Sequence, residues 1–185
     1  MNLKSLITSY FFLVSVFVCH AQKQDSKAAN PNFYAGLGLG LDYGGIGFKA
    51  EFLPVKNIGI FAGAGANLDK VGLNGGLSLK ILPDKKATPV IMGMYGYNAV
   101  LKVKSPFGNA VIFQKTYYGP SLGAGYDIKT RKKNNKWSIA IIVPFRSQAF
   151  EDKYNEYKEA GFEFNPGKTP VLFSIGYNLN SSNNK

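Results

Sequence analysis

The two residue types that most often act as nucleophiles, general bases or metal ligands occur once each in this chain, side by side. Cys19 is the only cysteine and His20 the only histidine. Both lie in a segment with the features of an exported leader, described below. Without that segment, one chain cannot form a disulfide, a Cys/His metal site, a cysteine nucleophile or a histidine-activated serine. We therefore expect no metal ion and no cofactor, and only carboxylate, lysine or tyrosine chemistry remains open to an enzyme.

Five charged residues interrupt segments that otherwise alternate between apolar residues and glycine. Opposite charges held close together can shift each other's pKa, as they do in acid/base sites. They can also neutralise one another as a salt-bridged plug in which every buried charge has a partner. We favour the plug, and predict a cluster of charges in the interior of the fold, without catalysis, at Asp42, Lys49, Glu51, Lys80 and Arg146.

The first 21 residues have the three parts of a secretory signal peptide. Lys4 supplies a positive charge, and the apolar run that ends at Val18 is too short for a membrane helix, which needs about 20 apolar residues. Ala21 is a small residue of the kind read by signal peptidase, so we predict cleavage before Gln22. A lipoprotein acylated at Cys19 and a buried N-terminal strand are the alternatives. The predicted organisation is a signal peptide at 1–21, a barrel at 22–180 and a polar tail at 181–185.

Residues after the leader alternate with a period of two, which indicates β-strands. Segment 33–43 places six larger residues on one face, opposite Tyr34, three glycines and Asp42. Similar segments follow at 46–53, 58–68, 71–81, 89–103, 118–128, 137–145 and 171–179. The alternation in 89–103 is too blurred to assign its faces. The larger set in the first segment is Phe33, Ala35, Leu37, Leu39, Leu41 and Tyr43.

An even number of strands, eight, is what a closed bacterial membrane barrel requires. A water-soluble barrel would carry many charged and polar residues on its less apolar face, whereas glycine dominates that face here. Glycine weakens a solvated strand but suits the crowded interior of a narrow barrel. We therefore predict an all-β fold, an eight-stranded antiparallel up-and-down transmembrane β-barrel with its apolar face against lipid.

Placing both ends of the barrel in the periplasm gives two further expectations. Five aromatic residues then fall near the periplasmic ends of their strands, as an aromatic girdle does: Phe33, Phe52, Tyr126, Trp137 and Tyr177. The periplasmic turns then carry basic residues that face anionic lipid headgroups: Lys56, Lys85, Lys86, Lys129, Arg131, Lys132, Lys133 and Lys136.

The segment from Ser147 to Lys168 predicts one short helix in the last surface loop. Ser147 is suited to cap a helix over 148–160, and Gly161 to end it. Phe150, Tyr154 and Tyr157 form one stripe of that helix. The stripe is a candidate contact for a surface partner, the alternative being a solvated helix that covers the barrel mouth.

These segments resemble the small eight-stranded outer-membrane β-barrel proteins of the OmpA/OmpX-like type, in the variant found among Bacteroidetes. The resemblance rests on the leader that ends in HAQ, on FYAGLGLGLDY, LNGGLSLKILP and YYGPSLGAGYDI, and on the closing VLFSIGYNL. It implies location in the outer membrane of a Gram-negative cell, with membrane lipids, lipopolysaccharide and the barrel-assembly machinery as partners. The chain departs from the family at its end, where Leu179 is followed by a polar tail instead of a terminal aromatic.

Three classes of function follow from these patterns. We favour a structural or surface-interaction barrel without catalysis. The alternatives are a barrel that binds or transports a small apolar ligand, including a soluble lipocalin-like barrel, and an outer-membrane enzyme acting on lipid. The chain is basic, with 22 Lys and Arg against 11 Asp and Glu. The basic residues are nevertheless split among separate turns without stacking aromatics, so we predict no nucleic-acid binding.

Overall fold

The computed structural model describes residues 32–67, 70–104, 111–131, 135–162 and 168–181. The leader predicted at 1–21 and residues 182–185 of the predicted tail lie outside these ranges. So do Lys132 and Lys133 of the predicted basic turns.

Eight strands form a closed barrel in which every strand pairs with its sequence neighbours and the last pairs with the first. All of these pairings are antiparallel. The all-β, eight-stranded up-and-down barrel predicted from the sequence is therefore confirmed. The strands are β1 (Asn32–Gly40), β2 (Gly45–Val55), β3 (Ile58–Ala66), β4 (Val71–Lys80), β5 (Ala87–Lys104), β6 (Val111–Lys129), β7 (Lys136–Pro144) and β8 (Leu172–Asn180).

The barrel has two distinct ends. At the terminal end, β1 begins, β8 ends, and turns connect β2 to β3, β4 to β5 and β6 to β7. At the loop end lie the connections between β1 and β2, β3 and β4, β5 and β6, and β7 and β8. Both ends of the barrel chain therefore emerge on the same side, as an even number of strands requires.

Strand β1 ends earlier than its alternation predicts, because the chain turns into the barrel. Residues Leu41–Tyr43 form a single 3₁₀ turn, and Gly44, at φ 74°, adopts the left-handed conformation that closes it. We predicted that Leu41 and Tyr43 face outwards with the rest of the strand, and this is wrong. They are 3% and 0% exposed.

The faces of β5, which the sequence left unassigned, are explained by an irregularity in its pairing with β6. The register shifts between Tyr97 and Ala99, so one extra residue, Asn98, occupies that strand. Before the shift Met92 and Met94 point inwards, and after it Leu101 and Val103 do. A single phase of alternation therefore cannot describe the whole strand.

The helix α1 (Gln148–Glu159) lies in the connection between β7 and β8, as predicted. Ser147 precedes it in an extended conformation, and Gly161 adopts a positive φ of 79° beyond its end. Strands β5 and β6 run beyond the barrel at the loop end, since β5 pairs with β4 only as far as Gly96 and β6 pairs with β7 only from Ser121. We call residues 97–104 and 111–119 the projecting ribbon, and α1 packs against it.

Candidate functional site

Four buried charges from four strands form an alternating ring inside the barrel near its terminal end. We call Glu51, Lys80, Asp127 and Lys136 the charge quartet. The Lys80 ammonium lies 3.0 Å from Glu51 and 2.6 Å from Asp127. The Lys136 ammonium lies 2.5 Å from Glu51 and 2.6 Å from Asp127. Two ammonium groups and two carboxylates balance each other, so the quartet has no net charge.

Neutral donors complete the hydrogen bonding of the quartet's carboxylates. Ser78 donates to Glu51 and Ser138 donates to Asp127, each over 2.6 Å. Lys136 also lies over the Tyr34 ring, with its Nζ 4.5 Å from the ring centroid. A buried carboxylate that already accepts from two ammonium groups and a hydroxyl is poorly suited to take a proton from a substrate. The arrangement is therefore suited to holding strands together.

The inward turn Leu41–Tyr43, which we call the plug, carries a second charged pair. Lys49 donates to Asp42 over 2.5 Å, and Ser174 donates to the other carboxylate oxygen of Asp42. The Lys49 ammonium also lies 4.4 Å from the centroid of the Tyr43 ring. Asn178 donates to the Tyr43 hydroxyl over 3.0 Å, which joins the plug to β8.

Lumen-facing glycines form the socket that receives the plug. A methyl group at Gly38 or Gly176 would collide with the Tyr43 ring, and one at Gly63 would collide with the Asp42 carbonyl. In a barrel this narrow, side chains at those positions and the plug cannot occupy the same space. These glycines are therefore needed to make room for the plug, and not only because the barrel is narrow.

Apolar side chains fill much of the remaining interior. Leu41 of the plug belongs to one buried cluster with Phe61 and Ile142, and two methionines of β5 complete its centre. A second cluster lies at the loop end, where Leu101, Val103 and Tyr117 of the projecting ribbon pack against Phe150 of α1. The first cluster therefore lies inside the closed barrel with the plug, and the second lies between the helix and the projecting ribbon.

The structure places four of the five charged residues predicted to form an interior cluster inside the barrel, in two separate groups. Glu51 and Lys80 belong to the quartet, and Asp42 of the plug pairs with Lys49 of β2. Arg146 is the exception and corrects the prediction: it lies beyond the end of β7 and donates to the carbonyl of Thr169 over 2.5 Å. Partial burial lowers the pKa of its guanidinium, and nearby Glu151 opposes that change.

Two members of the quartet, Asp127 and Lys136, were absent from the predicted cluster. Asp127 falls on the glycine-rich face of its segment, so the alternation already contained the signal. Lys136 was predicted to lie in a basic periplasmic turn. It is instead the first residue of β7 and is 3% exposed. Its position two residues before Ser138, on the same face, is the signal that could have identified it.

The aromatic stripe of α1 contacts the barrel's own ribbon. Phe150 is 3% exposed, and its ring meets that of Tyr117 edge-on at 5.3 Å. The ring of Tyr157 lies 5.3 Å from that of Phe113, and Tyr154 stacks on Phe150 at 6.0 Å. The three residues predicted as a partner contact are therefore largely engaged within the molecule, and they fix the helix over the loop end.

The outer wall of the closed barrel is apolar. Leu37, Ile46 and Phe173 expose 70%, 69% and 76% of their surface, and every strand carries further exposed apolar side chains. Within the described strands of the closed barrel, charged side chains lie on the lumen side of the wall, and Lys129, the last residue of β6, lies at the rim of the lumen. The outer wall of this barrel is therefore apolar, unlike the polar surface of a globular protein in water.

The described ranges contain neither a metal-site cluster nor a membrane-spanning helix. No three His, Cys, Asp or Glu residues of those ranges lie together as a metal site would require. No helix in the same ranges has both the length and the apolar character needed to cross a membrane.

No family model matches this chain, and no curated protein matches its sequence significantly.

Proposed function

We propose that this chain is an outer-membrane β-barrel with a structural or surface-interaction role and no catalytic activity. The observation that carries the proposal is the distribution of polarity, with apolar residues on the outer wall and charges inside. Apolar surface facing water costs roughly 25 cal/mol for each Å². A wall built throughout from such surface is stable when hydrocarbon covers it, and one face against lipid with the other in the lumen is the pattern of membrane barrels.

The ends of the barrel support the orientation proposed from the sequence. Phe33, Phe52, Tyr126 and Trp137 are exposed at the terminal end, and Trp137 packs against Tyr177 with ring centroids 5.0 Å apart. Such a cluster is suited to the interface between hydrocarbon and headgroups. The terminal end would then face the periplasm. Because Lys136 is buried in the quartet, it is no longer among the basic residues proposed to face lipid headgroups there.

The filled interior favours a structural role over the alternatives. A transporter or apolar-ligand barrel needs open space in the lumen, and the plug and the apolar cluster around Leu41 take up much of that space. A lipid-modifying enzyme needs a free acid or base, whereas each carboxylate of the quartet already accepts from two ammonium groups and a hydroxyl. A soluble lipocalin-like barrel would place polar side chains on the wall that here carries leucine and isoleucine. Lipids, lipopolysaccharide and the barrel-assembly machinery stay the proposed partners.

The change in stability caused by an arginine on the outer wall distinguishes a membrane barrel from a soluble one. Ile139 is 45% exposed on β7. In lipid, Ile139→Arg should destabilise the barrel by about 2–4 kcal/mol if it lies near the midplane. In water, a charge at so exposed a position should change stability by less than about 0.5 kcal/mol. The measurement is urea unfolding of protein refolded into vesicles, followed by the gel shift between heated and unheated samples.

Ile112→Arg is the matched control, because Ile112 is 52% exposed on the projecting ribbon, outside the closed barrel. It should leave stability unchanged. Wild-type protein that stays monodisperse in plain buffer, together with a neutral Ile139→Arg, would contradict the membrane proposal.

The proposed location has its own test. The full chain expressed in a Gram-negative host should fractionate with the outer membrane, and mass spectrometry should find a mature N-terminus at Gln22. A lipid adduct on Cys19 would instead indicate a lipoprotein, and an unprocessed protein in the soluble fraction would refute export.

A further inference from the structure

A cavity opens at the terminal end of the lumen, below the charge quartet. Its volume is about 100 Å³, whereas a single water needs roughly 10–15 Å³ on this kind of measure. Four lysines line it, Lys56, Lys80, Lys129 and Lys136, together with the carboxylates Asp84 and Asp127. It can therefore accept a group of several heavy atoms in strongly charged surroundings.

One positive charge in this cavity is not neutralised. Lys80 and Lys136 are balanced by Glu51 and Asp127 within the quartet, and Lys56 pairs with Asp84 over 3.0 Å. Lys129 donates to the backbone carbonyl of Pro83, a neutral acceptor, and forms no ion pair with any described residue. The four lysines and their three carboxylate partners, Glu51, Asp84 and Asp127, therefore carry a net charge of +1, which favours an anion in the cavity.

A hydroxyl donor lines the same cavity. Tyr34 borders it, and no hydrogen bond joins the Tyr34 hydroxyl to a described residue. An oxyanion in the cavity would give this hydroxyl an acceptor, and hydrogen bonds to an anion are stronger than those to neutral groups.

We propose that this cavity binds a phosphate group, with the Lys129 ammonium and the Tyr34 hydroxyl as its donors. A tetrahedral oxyanion presents several acceptor oxygens at once, which suits donors converging from different strands. The group can come from free phosphate or from a phosphodiester of a lipid headgroup at the barrel rim. The site belongs to the lumen, so the inference goes beyond the proposed function and holds in detergent or in water.

Titration of the refolded barrel with inorganic phosphate tests the site. In nonionic detergent and chloride buffer at fixed ionic strength, calorimetry should show saturable binding of one phosphate per barrel. Lys129→Gln should weaken binding at least tenfold, and Tyr34→Phe several-fold. Lys86→Gln is the matched control, because it removes an equal charge from the same end at a residue that does not line the cavity. It should alter affinity less than twofold.

The source of the phosphate group is resolved by a second titration, with phosphatidylglycerol added to the micelles. Reduced affinity for inorganic phosphate would assign the site to a lipid headgroup, and unchanged affinity would assign it to a soluble phosphate. The absence of saturable binding by the wild-type barrel would overturn the proposal. So would equal weakening by Lys86→Gln and Lys129→Gln, since that would reflect net charge alone. The gel shift on heating reports folding of each variant independently of binding.

Discussion

Lys136 bridges two carboxylates that no single element of the fold brings together. Glu51 lies on β2 and Asp127 on β6, and both are nearly fully buried. A buried charge that loses its partner is left uncompensated, which is far more costly than the net contribution of the intact pair. The quartet therefore couples distant strands, and its balance of charge matters more than any one of its contacts.

Removing Lys136 alone should thus be more harmful than removing it together with one carboxylate. We expect Lys136→Met to lower the free energy of unfolding by about 3–5 kcal/mol. Lys136→Met combined with Asp127→Leu leaves Lys80 and Glu51 as a balanced pair and should recover part of that loss. Urea unfolding of both variants measures the difference. A double variant less stable than the single one would show that charge balance does not govern this cluster.

The glycines of the socket differ from glycines on the outer wall. A methyl group added at Gly176 would meet the Tyr43 ring, whereas one at Gly93 would meet only the end of Leu122, at 3.6 Å. Overpacking in a filled interior costs typically about 1–3 kcal/mol. We therefore expect Gly176→Ala to destabilise the barrel by that amount in urea unfolding, and Gly93→Ala to have little effect. Equal effects of the two substitutions would mean that the plug has no socket in solution.

The helix α1 and the projecting ribbon form a unit that is separate from the closed barrel. Their shared cluster contains Phe150, Leu101, Val103 and Tyr117, whereas the plug belongs to the other cluster. A separate cluster allows local opening at a lower free energy than global unfolding. The loop end can therefore change its conformation while the strands beneath stay closed.

Truncating Phe150 should release the helix without unfolding the barrel. Phe150→Ala removes the ring that packs edge-on against Tyr117, and Phe→Ala in a packed cluster costs typically 3–5 kcal/mol. We expect limited proteolysis to cleave within residues 147–162 in this variant, with the gel shift on heating preserved. Asn155→Ala, on the exposed side of α1, is the control and should resist cleavage as the wild type does. Loss of the gel shift in Phe150→Ala would contradict the independence of the two units.

The whole barrel is narrow, since eight strands leave an interior that side chains can fill. The quartet, the plug and the apolar cluster around Leu41 lie in that interior. We therefore expect the protein in planar bilayers to show no stepwise conductance. Tyr43→Ala, which shortens the plug, should raise any residual leak more than the wall substitution Tyr95→Ala. Large stepwise openings of the wild type would show that the interior is mobile.

The alternation of residues along the chain determined the class of the fold. Strand number, antiparallel order, the apolar face and the helix after β7 follow from local patterns, because side chains alternate strictly across a strand and helix signals are local. The same patterns placed Asp42, Lys49, Glu51 and Lys80 in the interior. They misplaced Arg146, because periodicity does not show where a strand ends.

Only the tertiary structure decided which interior residues meet and where the chain leaves the sheet. The inward turn at Leu41–Tyr43 depends on space left by glycines of other strands, and pairing within the quartet depends on closure of the barrel. The extra residue in β5 changes the phase of alternation within one strand. Each of these features arises from contacts between residues far apart in sequence, whereas a local pattern records only which side of its own strand a residue occupies.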